Sequence, residues 1–247
     1  MSISLKVYLA LIVVVAFLAP LQLYLPKGTL ALDLEEQPLP ASKPVMALAS
    51  IGIVLLLHGG LGLLGMRLSR KLGFAEVWDD SVSNRQRFLV PGLVGIAVGT
   101  TLVIGDAIFS RFHSFGPLPH PPFPTSIVAS VSAGIGEEVL FRLFFISFWV
   151  WLLSYVVLKN RYQNHIFWIV AFLSALAFGV AHIPAIALVM GFKAMSDIPP
   201  VLVIEIILLS GVVALPCAYY FREFGFLAAV GIHFWADVVW HVIWGLF

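Results

Sequence analysis

The chain has 247 residues, 61% of them hydrophobic and 11% charged, with a formal net charge of +1. A soluble domain is about a quarter charged, so this composition excludes a water-solvated globule and points to lipid as the solvent. The near-neutral balance excludes nucleic acid as a partner, and the single cysteine, Cys217, excludes an internal disulfide or a cysteine-based zinc site.

A helix needs about 20 apolar residues to cross the hydrocarbon core. Runs of that kind lie at 5–25, 45–66, 88–109, 125–158, 165–190, 199–220 and 225–246. The first follows Lys6 and continues to Leu25 with no small-residue cleavage signal, so it reads as a retained span and not a signal peptide. The connection at 26–44 carries Pro26, Pro38, Pro40 and Pro44 with Asp33, Glu35 and Glu36. That at 67–87 is basic, and that at 110–124 holds Pro117, Pro119, Pro121, Pro122 and Pro124. At about 1.5 Å per residue, the fourth run is too long for one simple span. Gly134 and Gly136 lie inside it, so a break or re-entrant turn is expected there.

The predicted fold is therefore all-α, a polytopic transmembrane bundle of seven or eight helices. It forms a single membrane domain over 1–247, with three N-terminal spans in 1–123 and a helical core in 124–247. With the N-terminus inside and seven crossings, Lys6, Arg67, Arg70, Lys71, Arg85, Arg87, Lys159, Arg161 and Arg222 share the cytoplasmic side. Lys27, Lys43, Arg111 and Lys193 lie opposite, and Arg142 is intramembrane. The bias supports this orientation.

Charged groups inside a span cost at least about 2.5–3.5 kcal/mol each, so they are kept where they pair or act. Three clusters stand out. In Gly136-Glu137-Glu138-Val139-Leu140-Phe141-Arg142, Glu138 and Arg142 are four apart and can pair on one helix face. Glu137 points about 100° away, a less compensated carboxylate suited to general-base work. In Phe178-Gly179-Val180-Ala181-His182, small residues let a neighbouring helix approach a histidine. In His233-Phe234-Trp235-Ala236-Asp237, His233 and Asp237 share a face. A mutual hydrogen bond, a pair of metal ligands and a pair of oxyanion partners are all open to them. A stapling ion pair or a packed core histidine is the bland reading of each cluster alone. No G-x-S-x-G or H-E-x-x-H occurs, so serine and zincin chemistry lack their motifs.

Glu137-Glu138-x-x-x-Arg142, Phe178-x-x-x-His182 and His233-x-x-x-Asp237 resemble, in order and spacing, the motif set of the CPBP family of CAAX proteases and bacteriocin-processing proteins, which includes type II CAAX prenyl endopeptidases. The resemblance covers roughly 124–245. It implies an intramembrane endopeptidase of a bacterial or archaeal plasma membrane, acting on a peptide or a prenylated protein at the lipid bilayer. By that likeness Glu137 activates water with help from His182, and Glu138 and Arg142 hold Glu137 in place. His233 and Asp237 bind the oxyanion. The family's last position is Asn or Asp, and an ionised Asp only accepts hydrogen bonds; Asp237 then orients His233 or binds a metal instead. If a metal is present, zinc is the candidate and Glu137, His182 and His233 its ligands.

The alternatives are a non-catalytic bacteriocin-immunity or scaffold protein that keeps the pocket, and a proton-coupled transporter, against which the absence of an internal repeat counts. One expectation conflicts with the motif reading. In straight helices His182 lies ~26 Å and His233 ~12 Å from their inner ends, so a shared site requires shifted or broken helices. Glu205 has no partner four residues away. It, His58, Asp106 and His241 read as packing or interfacial groups, and His113 and His120 fall in the Pro-rich connection.

Overall fold

A computed structural model describes residues 1–26 and 41–247. Most of the predicted connection at 26–44, with Lys27 and its acidic residues, lies outside the described residues. Among these, seven helices are long and apolar enough to cross a membrane: α1 Ile3–Leu21, α2 Lys43–Lys71, α3 Arg85–Phe109, α4 Thr125–Val157, α5 Gln163–Val189, α6 Pro200–Phe224 and α7 Phe226–Leu246. No strand occurs among the described residues.

Local chemistry sets several helix ends. The Ser2 hydroxyl accepts from Leu5 N–H and caps α1. Prolines open α2 and α6, where a missing N–H costs no helical hydrogen bond. A single residue, Gly225, joins α6 to α7 at φ +87°, and a Cβ there would stand 2.2 Å from the Glu76 carbonyl oxygen. Only glycine satisfies both conditions.

The fourth run does not break. It is one 33-residue helix, about 50 Å long, which corrects the expected re-entrant turn and gives seven spans among the described residues. Its glycines serve close packing. A Cβ at Gly134 would lie 3.2 Å from the Phe234 backbone nitrogen, and one at Gly136 would lie 3.1 Å from His58 Nε2. The helix widens to π turns over Val139–Ile146, directly after Glu138; α7 does the same over Val238–Ile243, directly after Asp237.

The centre of the bundle is α7, packed against α3, α4 and α6. Gly95 and Gly99 of α3 let the helix backbones touch, because a Cβ at either would come within 2.6 Å of an α7 carbonyl oxygen. Helix α2 is peripheral, and the exposure of Leu55, Leu56 and Leu57 suits lipid contact.

The connections sort cleanly to two ends. At one, Ser4 Oγ donates to Glu76 Oε2 at 2.8 Å, Gln163 Nε2 to the Leu72 carbonyl at 2.7 Å, and Arg222 Nη1 to Asn164 Oδ1 at 2.7 Å. These contacts gather loops of the Lys/Arg-rich set. At the other end, a Cβ on Gly245, near the end of α7, would stand 3.0 Å from His120 Cβ of the 110–124 connection.

Candidate active site

Helix α4 brings two adjacent glutamates to the bundle centre with different surroundings. Glu138 is fully buried and its Oε1 lies 2.8 Å from His233 Nδ1. A carboxylate only accepts, so Nδ1 carries the proton and the ring is fixed in one orientation. Arg142 Nη1 stands 3.1 Å from the same oxygen, at ion-pair distance but without hydrogen-bond alignment. Its guanidinium lies over the Phe178 ring, 4.8 Å from the centroid, a desolvated cation–π contact. Glu138 therefore reaches His233 and not Glu137, a different arrangement from the one the resemblance implied.

Glu137 points elsewhere, with 32% of its side chain exposed. Its Oε2 has no hydrogen-bond partner in the protein. His182 Nε2 lies 3.9 Å from that oxygen and His233 Nε2 3.7 Å from it. These gaps exceed direct hydrogen bonds, yet one water molecule about 2.8 Å from each atom can span them. His182 Nδ1 is 2.7 Å from the Phe178 carbonyl oxygen, which only accepts, so Nε2 offers its lone pair towards Glu137. Asp237 Oδ1 stands 3.8 Å from His233 Nε2, an electrostatic neighbour beyond hydrogen-bond reach.

Phe178 is the hub of this arrangement. Its ring centroid is 4.6 Å from that of His182, 5.7 Å from that of His233 and 5.2 Å from that of Phe141. All six predicted site residues thus meet in one cluster, and the expected mismatch in depth between His182 and His233 does not arise. Counting from helix ends fails because the ends are not level: α5 has 27 residues, about 40 Å, whereas α7 starts abruptly at the Gly225 turn.

A cavity of about 140 Å³ adjoins the cluster. His182, His233 and Asp237, with Ser210 and His241, form its polar wall, and Leu102, Ile206 and Trp240 are among its apolar walls. Such a combination suits an apolar ligand with one reacting polar group.

The spacing of the same atoms bears on zinc as a ligand. Zinc bonds of about 2.0–2.1 Å in a tetrahedron place ligand atoms about 3.3 Å apart, tighter than the 3.7 and 3.9 Å found here. Among the described residues no group of three His, Cys, Asp or Glu is arranged to hold a metal ion. As placed, Glu137, His182 and His233 do not fit a metal cage.

Sequence reasoning missed a second buried cluster. Glu205 is not alone: its Oε2 lies 2.9 Å from His113 Nε2, and its carboxyl faces that of Asp106. Asp106 Oδ1 accepts from Leu118 N–H at 2.9 Å, and His120 Nδ1 lies 3.1 Å from His241 Nδ1. All these partners are distant in sequence, so helical spacing carried no signal of them.

A helical membrane bundle with a carboxylate and two histidines around a water-sized gap has the equipment of an intramembrane hydrolase. Residues 119–239 match the family model described as type II CAAX prenyl endopeptidase Rce1-like. The matched segment, about half of the chain, belongs to this family of CAAX-type intramembrane endopeptidases. Comparisons with curated proteins and with solved structures gave no match.

Proposed function

We propose that this protein hydrolyses a peptide bond of a membrane-associated substrate, with prenylated CAAX proteins as the first class to test, and that residues 124–247 form the catalytic part of a single membrane domain. The observation that carries the mechanism is the convergence of His182 Nε2 and His233 Nε2 on the unpartnered Oε2 of Glu137. A water in that gap gives a proton to Glu137 as its oxygen attacks the carbonyl carbon. His182 Nε2 accepts from and orients the same water. Glu137 then passes the proton to the departing amine as the C–N bond breaks.

The oxyanion falls to His233. With Nδ1–H committed to Glu138, Nε2 donates to an oxyanion only as an imidazolium. Glu137, Glu138 and Asp237 surround the ring within 4 Å and offset that charge. Asp237 acts as this electrostatic partner, which removes the difficulty of an aspartate as donor.

The test compares wild type with Glu137→Ala in detergent on a fluorogenic farnesylated CAAX peptide, with and without a chelator. Cleavage by wild type, its loss in Glu137→Ala with an unchanged melting temperature, and its survival of chelation are expected. Equal cleavage by both proteins overturns the role of Glu137. Loss to the chelator and recovery with zinc overturns the metal-independent mechanism.

A further inference from the structure

The outer side of the α3–α7 contact is concave. A groove of about 650 Å³ runs along it, lined by one face of α3 and, across from that face, by Trp235 of α7. Phe88, Leu93 and Ile96 are exposed along the α3 side. Gly92 is the floor: a Cβ there would stand 3.3 Å from the Trp235 ring, so the indole rests against bare backbone and forms the second wall.

One end of the groove is polar and presents donors. Asn84 and Arg85 line it there, and both are exposed. Among the described residues Arg85 joins no ion pair. Asn84 Oδ1 accepts from Arg87 Nη1 at 2.9 Å, which leaves the Asn84 amide hydrogens to donate outward. Arg87 is itself buried and held, with Nη2 donating to the Val82 carbonyl at 2.8 Å and the guanidinium 4.0 Å from the Trp78 ring centroid. The orientation of Asn84 is therefore built in. Helix α3 begins at the same point, and its dipole favours an anion there.

Length decides what kind of ligand fits. The eleven steps from Arg85 to Ile96 make ~16 Å of helix, about half of the ~30 Å hydrocarbon core. The groove thus runs one leaflet deep, from a cationic head at the interface to an apolar tail at mid-bilayer. Its head lies with the Lys/Arg-rich loops, on the side where anionic lipids gather by the charge bias.

The groove is separate from the catalytic cavity. Trp235 is two residues from both His233 and Asp237, and each residue turns about 100°, so its side chain leaves α7 on nearly the opposite side. No residue lines both the groove and the cavity. An occupant of the groove braces the back of the helix that carries His233 and Asp237.

We infer that the α3–α7 groove binds one anionic phospholipid of the adjacent leaflet, its phosphate on Arg85 and Asn84 and an acyl chain between Phe88, Leu93, Ile96 and Trp235. This assignment stands apart from the proposed catalysis.

The experiment counts bound lipid and needs no turnover. The full chain in detergent is titrated with phosphatidylglycerol or with phosphatidylcholine of the same acyl chains, and the first lipid bound is read by native mass spectrometry. Phosphatidylglycerol is expected to bind about tenfold tighter than phosphatidylcholine. Arg85→Gln is expected to weaken it about tenfold, within the range of one lost charge-assisted hydrogen bond. Leu93→Trp, which fills the groove from an exposed position, is expected to abolish the preference. Leu56→Trp, on the lipid-facing side of α2, is expected to leave it intact. Equal affinity in wild type and Arg85→Gln, or wild-type binding in Leu93→Trp, overturns the site. A dimer that Leu93→Trp dissociates gives the groove to a second copy of the chain and also overturns it. Displacement of the lipid by a farnesylated peptide gives the groove to the substrate's chain, with the same result.

Discussion

His233 Nδ1 and Glu138 Oε1 lie 2.8 Å apart across the interface of α7 and α4, 95 residues distant in sequence and both buried. This contact couples the two ends of the family-matched segment and turns His233 Nε2 towards Glu137. It also sets Glu138 between His233 and Arg142, while Glu137 Oε2 has no hydrogen-bond partner in the protein.

Removing one partner of a buried ion pair costs about 3–5 kcal/mol, because the other charge stays behind unpaired. Glu138→Leu strands Arg142, whose exposure is 1%. The single variant is expected to melt well below wild type. The double variant Glu138→Leu, Arg142→Met is expected to recover most of that loss without recovering cleavage. Thermal unfolding in detergent, read beside peptide hydrolysis, checks both halves; a double variant no more stable than the single one contradicts the pairing.

The contact of α3 with α7 sets where His233 stands. A Cβ at Gly95 would lie 2.5 Å from the Ile232 carbonyl oxygen, and backbone cannot yield as a side chain does. Overpacking of this kind costs about 1–3 kcal/mol, and a shift near 1 Å at the site costs about 10²-fold in rate. Gly95→Ala is expected to lose stability and most of kcat. Gly60, with nothing within 4 Å of a Cβ, is the control, and Gly60→Ala is expected to match wild type in both melting and turnover.

His120 lies outside the spanning helices, and burial pushes its pKa down from 6.5 to about 4. The folded protein therefore holds this ring neutral, whereas the unfolded chain binds a proton below about pH 6.5. The stabilisation from the buried neutral ring is present above pH 6.5 and is lost as pH falls from there towards 4. The titratable group in contact with it is His241. Wild type is expected to lose more melting temperature between pH 7 and pH 5 than His120→Gln does. Parallel profiles for the two proteins contradict the sign of the shift.

The sequence alone determined the solvent and the positions of the long apolar runs, left the helix count at seven or eight, and singled out the charged residues that the structure gathers into one cluster. Hydrophobic runs of bilayer length leave the backbone no alternative to helix, and charges survive in such runs only in company. The spacing of Glu138 with Arg142, and of His233 with Asp237, was legible because both members ride one helix. Tertiary structure decided everything that crosses helices. It set Glu138 on His233, brought His182 level with His233, and gave Gly134 and Gly136 to packing instead of a break. It also found partners for Glu205 and Asp106 in a loop that local spacing cannot reach. The physical reason is one of range. Periodicity reports neighbours within about a turn, whereas the depth at which helices cross depends on unequal ends, one-residue turns and the glycines that let two backbones touch.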